Sequence, residues 1–189
     1  SQSEMESMLL AYQMRQRDLN QEDCVEYVLV YHNHGPAAGA TVFHPHSQII
    51  AVPVIPPDVG RSIRGSRDYF RKHRRCVHCA MIAWELKARK RIVYENKDIV
   101  VFCPYASRVS YEVRIFPKSP QHSFEELGDI ELAYVADALR AALKKIAKGL
   151  GEPSYNFFIH TSPSDPEHFR YYHWHIEILP RTSIWAGVE

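Results

Sequence analysis

Two stretches of the chain repeat one device. His44, His46 and Gln48 stand two apart in His44-Pro45-His46-Ser47-Gln48, and so do His173, His175 and Glu177 in His173-Trp174-His175-Ile176-Glu177. In extended backbone, alternate side chains share a face. Each triplet therefore predicts a strand with three polar groups on one side, where a half-buried strand would carry apolar ones. Two copies of such a row suggest two related halves in tandem.

The elements around them follow from periodicity. Residues 1–21 read as a helix, with Met5, Met8, Leu9, Tyr12, Gln16 and Leu19 on one face. Residues 24–31 read as a strand, with Cys24 as a small buried residue. The strand of the first triplet, residues 44–54, is ended by Pro53, Pro56 and Pro57. Residues 58–75 hold seven arginine and lysine residues against two aspartates, read as a solvated helix face. A helix follows to residue 90. A hairpin is expected over 91–94 and 99–102, around Asn96-Lys97-Asp98, with Cys103 in the core at its end. A strand over 111–117 precedes a long helix over 124–150. Leu127, Ile130, Leu132, Val135, Leu139, Leu143 and Ile146 form its apolar side, and Gly149 and Gly151 end it. Strands over 155–160 and 171–179 flank a loop. The expected class is α+β, an antiparallel sheet with helices.

The chemistry of the first triplet points to phosphorus. An imidazole neutral near pH 7 can attack a phosphoryl group and leave again once protonated. Its second nitrogen needs an acceptor to fix the tautomer, and a nearby backbone carbonyl would serve. A carboxamide N–H at Gln48 can hold a phosphoryl oxygen. The small-residue loop before it, residues 33–41, lets backbone N–H groups approach phosphate closely.

Cys76-Val77-His78-Cys79 raises a second question. Two thiolates at this spacing suit tetrahedral zinc. Among four cysteines in all, a CxxC fits metal binding in a reducing cytosol better than disulfides. His122 and His173 complete the expected set with Cys76 and Cys79; His78, His160 and His168 are alternatives. A redox CxxC lacks the βαβ pattern that would surround it. A formal charge of +1 gives no global attraction to nucleic acid or membrane. No 18-residue apolar run predicts a membrane span, and a cytoplasmic location is expected.

Residues 33–48, N-H-G-P-A-A-G-A-T-x-F-H-P-H-S-Q, resemble without a gap the active-site segment of galactose-1-phosphate uridylyltransferases, a branch of the histidine-triad superfamily. The resemblance implies that His46 is the nucleophile of a uridylyl-histidine intermediate. His44 would be a metal ligand whose carbonyl orients His46, and Gln48 would bind the transferred phosphoryl group. Asn33 and the Gly39-Ala40-Thr41 loop would surround the phosphates; Thr41 replaces the usual serine and keeps its hydroxyl. Gly187 and Glu189 would contact the hexose. The resemblance also supports Cys76, Cys79, His122 and His173 as structural zinc ligands. The implied substrates are UDP-glucose and galactose 1-phosphate, and the implied assembly is a homodimer. The alternatives are an ADP-sugar phosphorylase or adenylyltransferase of the same superfamily, and an inactive zinc-binding fragment. On this reading residues 1–75 end a first histidine-triad-like half, and residues 76–189 form a second. The first half would lack its opening, so this chain is expected to be inactive alone.

Overall fold

The computed structural model describes residues 1–42, 44–163 and 169–183. In chain order the elements are α1 (Gln2–Leu19), β1 (Tyr27–His34), a short 3-10 turn (Pro36–Ala38), β2 (Ser47–Val52), α2 (Pro57–His73) and α3 (Val77–Ala88). They continue with β3 (Ile92–Glu95), β4 (Ile99–Phe102), β5 (Val113–Pro117), α4 (Asp129–Leu150), β6 (Tyr155–His160) and β7 (His175–Pro180). The strands form one antiparallel sheet in the order β2-β1-β6-β7-β5-β4-β3. The β1–β6 pairing, with Val30 opposite Ile159 and His34 opposite Tyr155, joins the start of the chain to its end. The boundary expected at residues 75/76 falls in the link between α2 and α3, and the sheet runs unbroken through both parts.

Helices cover both faces. On one, α1 packs against α4 over Val30, Val101, Ile115, Phe157, Ile159 and Ile176. On the other, α2 packs through Val59 and Ile63 near Tyr27 and Tyr172, and α3 through Ile82 on Val100, Phe102 and Phe116. A strand covered on both faces has no polar side, and Ile99-Val100-Val101-Phe102 is buried throughout. Trp174 is fully buried, edge-on to Phe124 at 5.6 Å, and its Nε1–H donates to Gln121 Oε1 at 3.3 Å.

Three expectations need correction. Cys24 is exposed: the chain leaves α1 through a turn closed by Val25 N–H on the Glu22 carbonyl at 2.9 Å, and β1 starts only at Tyr27. The long helix starts at Asp129, capped by Glu131, whose carboxylate accepts from Gly128 N–H at 2.9 Å. Phe124 and Leu127 are buried before the helix begins, whereas Ile130 in its first turn is 72% exposed. Lastly, β2 spans only Ser47–Val52, so His44 and His46 precede the strand. No described helix is long and apolar enough to cross a membrane.

Candidate functional site

The β1–β2 connection is shaped by its glycines. Gly35 has φ +80°, and a Cβ there would meet Ser154 Oγ at 2.3 Å, so only glycine fits. Its carbonyl accepts from the N–H groups of Ala38 (3.1 Å) and Ala40 (3.2 Å), folding the loop back on itself. Asn156 pins the loop from β6: its Nδ2 donates to Asn33 Oδ1 at 2.6 Å and to the Ala38 carbonyl at 2.8 Å. The loop walls a cavity of about 440 Å³ whose lining includes Asn33, Ala40, Thr41, His44 and Pro45. This volume suits a small ligand. Gly39, also at φ +80°, turns the loop with open space beside it.

His46 stands at the mouth of β2. Its Nδ1 lies 2.9 Å from the His44 carbonyl. A carbonyl only accepts, so Nδ1 is the donor and the lone pair sits on Nε2. His44 is exposed, its own Nδ1 3.1 Å from the Pro45 carbonyl. Gln48 is exposed on β2, where its Oε1 accepts from Tyr31 Oη–H at 2.6 Å; its amide N–H groups stay available as donors. The strand row of three is therefore not formed, yet His44, His46 and Gln48 remain at one end of the sheet.

Behind His46 lies a network that sequence reasoning missed. Ser47 Oγ is hydrogen-bonded to Tyr12 Oη from α1 and lies 2.9 Å from His32 Nδ1 on β1. Tyr12 and His32 are both buried, and the His32 ring stacks on Phe157 at 5.0 Å. Burial, then the neighbouring His34 and His46, lowers the His32 pKa and keeps the ring neutral. Tyr12 read only as core, and its partner is 35 positions away; the usable signal was His32, in register opposite Ser47. Ser47→Ala is expected to lower stability by about 1–2 kcal/mol, because it leaves Tyr12 Oη and His32 Nδ1 without their shared partner. Urea unfolding measures this.

The second device has the same local geometry with a different fate. His175 Nδ1 lies 3.2 Å from the His173 carbonyl, as His46 does from that of His44. But His175 is buried, stacked on His160 at 4.7 Å and on Phe116 at 4.9 Å. A cavity of about 140 Å³, between α2 and the sheet, reaches it. Burial, then the charges of His160 and His78, holds its pKa well below the usual histidine range. Of the two copies, the first is the open one.

Beside His175, Glu177 collects cations. His160 Nε2–H donates to it at 3.3 Å, Arg114 reaches it at 3.0 Å, and Arg108 pairs with it as well. Burial pushes its pKa up, but the hydrogen bond and charge of His160 and the two arginines outweigh that and bring it to about 2. A carboxyl lowered on folding stabilises the fold above its unfolded pKa of about 4.3. That contribution is lost as pH falls toward 2. Glu177→Gln is therefore expected to cost about 3 kcal/mol at neutral pH and to flatten the stability profile between pH 4 and 2. Urea unfolding across that range measures both.

Cys76 stands at the residue before α3, Cys79 lies in the helix's first turn, and His173 lies on the approach to β7. Cys76 Sγ is 3.4 Å from His173 Nδ1, and Cys79 Sγ is 3.8 Å from Nε2. One donor atom from each lies within 4.8 Å of the others. Burial brings the His173 pKa to about 4, so the ring is neutral, and burial with the neighbouring Cys76 raises the Cys79 thiol to about 11. Two thiols and a neutral imidazole in one buried cluster fit a zinc ion. His122 is not gathered with them: its Nδ1 faces Ser123 Oγ at 2.8 Å and Ser162 Oγ at 3.2 Å. Among the described residues the expected set of four is thus a set of three. His160 is bound to Glu177, and His78 Nε2 lies 3.2 Å from Ser66 Oγ. His168, Gly187 and Glu189 lie outside the described residues.

The family model described as domain of unknown function (DUF4921) matches residues 3–189. An ADP-glucose phosphorylase of Arabidopsis thaliana is 35% identical over 184 residues, covering 96% of this chain and 51% of the relative. A galactose-1-phosphate uridylyltransferase of Thermotoga maritima is 29% identical over 179 residues, covering 94% and 56%. The chain thus spans about half the length of these curated relatives. A crystal structure of an Arabidopsis thaliana ADP-glucose phosphorylase with bound ADP-glucose superimposes with a TM-score of 0.89 at 34% identity, covering 97% of this chain and 58% of that one. A uridylyltransferase structure gives the same score at 32% identity, covering 95% and 56%. By sequence the chain belongs to the DUF4921 family, and over about half their length it is homologous in sequence and fold to galactose-1-phosphate uridylyltransferases and ADP-glucose phosphorylase.

Proposed function

We propose that the chain carries a nucleotidyl-transfer site with His46 as nucleophile. The carrying observation is the 2.9 Å contact of His46 Nδ1 with the His44 carbonyl, which leaves Nε2 free beside an open loop of small residues. Nε2 attacks the α-phosphorus of a nucleotide sugar. The bond from that phosphorus to the bridging oxygen breaks, and a sugar 1-phosphate leaves. A second phosphate oxygen then attacks the nucleotidyl-histidine and restores the imidazole. Gln48 donates to a non-bridging oxygen in both steps. Zinc at Cys76, Cys79 and His173 would be structural, pinning α3 to the approach of β7.

Two identities of the substrates are supported. The uridylyltransferase relatives favour UDP-glucose as donor and galactose 1-phosphate as acceptor. The Arabidopsis thaliana relative and the ADP-glucose complex favour ADP-glucose with inorganic phosphate as acceptor. Intact-protein mass after incubation with each donor separates them. A UMP-sized, acid-labile adduct supports the first, and an AMP-sized one the second. If a folded protein spanning the full length of these relatives forms neither, the nucleotidyl-transfer reading is overturned and the zinc-binding reading is left.

A further inference from the structure

The basic run read as a solvated helix face does something else on one side of α2. Gly60, Arg64, Arg67 and Arg71 share a helical face, and this face forms one wall of a groove of about 780 Å³. Phe70, Phe169 and Tyr171 contribute aromatic surface, with Phe70 and Tyr171 6.2 Å apart and Phe169 set edge-on to Tyr171. From Gly60 to Arg71 the wall is about 16 Å long at 1.5 Å per residue, its arginines spanning about 10 Å of it, enough for a base, a ribose and a short phosphate chain.

The arginines are not neutralised by the protein. Arg61, on the outer side of α2, pairs with Asp58. Arg64 and Arg71 have no ion pair among the described residues. Arg67 has only Asp68 at 3.9 Å, and its buried Nε has no hydrogen-bond partner. Gly60 leaves room for Arg64: a Cβ there would lie 3.3 Å from the guanidinium. Guanidinium N–H groups left without a protein carboxylate can donate to an anion in the groove. Flat apolar walls beside unpaired guanidinium groups match a ligand with an aromatic ring and phosphates. The groove shares no lining residue with the His44 cavity.

We propose that this groove binds a nucleotide, its phosphates on Arg64 and Arg67 and its base against Phe70, Phe169 and Tyr171, at a site separate from His46. A nucleotide is favoured over nucleic acid because the basic stripe is short and the whole chain carries a charge of only +1.

The test is calorimetric titration of the His46→Asn protein with ATP, ADP, tripolyphosphate and a single-stranded oligonucleotide, repeated with Arg64→Gln/Arg67→Gln and with Arg61→Gln. The expected result is saturable ATP or ADP binding that the double substitution weakens at least tenfold and Arg61→Gln leaves unchanged. Tripolyphosphate is expected to bind at least tenfold more weakly than ATP. Circular dichroism confirms that each variant is folded; a double variant that is not is replaced by Arg64→Gln alone, with the same expectation. No binding at millimolar nucleotide overturns the proposal, as does binding insensitive to the groove arginines. Equal affinity for tripolyphosphate reduces the groove to a charge trap, and tighter oligonucleotide binding makes it a nucleic-acid surface; either result also overturns it. Dependence on the groove arginines separates this binding from any at the His44 cavity, so the groove can fail while the nucleotidyl-transfer reading stands, and the reverse.

Discussion

His46→Asn is expected to abolish the covalent adduct and to lower turnover of the whole enzyme by about 10⁴-fold or more, the scale seen when a nucleophile is removed. Asparagine keeps a polar side chain at a half-exposed position, so the fold should survive, and unchanged thermal melting would show it. Two companions make the result specific. His44→Ala removes a side chain but keeps the carbonyl that accepts from His46 Nδ1; the adduct should still form. Gln48→Ala removes a donor to the phosphoryl group while leaving the nucleophile, for a loss of about 10²-fold. Quenched-flow measurement of the adduct, followed by steady-state rates, separates the three. If His46→Asn kept its adduct, the nucleophile would lie elsewhere and the reading would fall.

What was legible in the chain was spacing. The apolar runs in residues 99–102 and 155–160 and the 3.6-residue period after Gly128 mark elements the structure contains. Paired histidines and the CxxC flagged both clusters because local spacing is short-range information. The strand row over His44, His46 and Gln48 failed for a local reason. Pro45 has no N–H for a ladder, and the two imidazoles bond main-chain carbonyls, so pairing begins only at Ser47. The Tyr12–Ser47–His32 network was hidden for a different reason. It is assembled from α1, β1 and β2 by tertiary packing, and nothing in the local period of a core-facing tyrosine announces a hydrogen bond to a distant serine. The arginine stripe shows the same limit: composition gave its charge, but only the aromatic residues brought from the far end of the chain turn one side of it into a groove.

Removing zinc is the second large effect expected. Without a metal, two thiols and a neutral imidazole face one another in a buried cluster where Cys76 Sγ–H has the Tyr171 carbonyl, at 3.3 Å, as its acceptor. A bound Zn²⁺ would deprotonate both thiols despite the burial that raises Cys79, and would hold the start of α3 to the approach of β7. Binding that favours only the folded state adds directly to stability. A strong chelator is therefore expected to cost about 4 kcal/mol or more, or about 10 °C in melting temperature for a chain of this size. Elemental analysis should find one zinc per chain. Cys76→Ser, Cys79→Ser and His173→Ala should each lose it, while His122→Ala, whose ring faces Ser123 and Ser162, should keep it. A protein that melts at the same temperature with and without chelator and contains no zinc would make Cys76 and Cys79 plain core thiols. Loss of zinc from His122→Ala instead would mean that this ring turns from the serines toward the thiols when the metal binds.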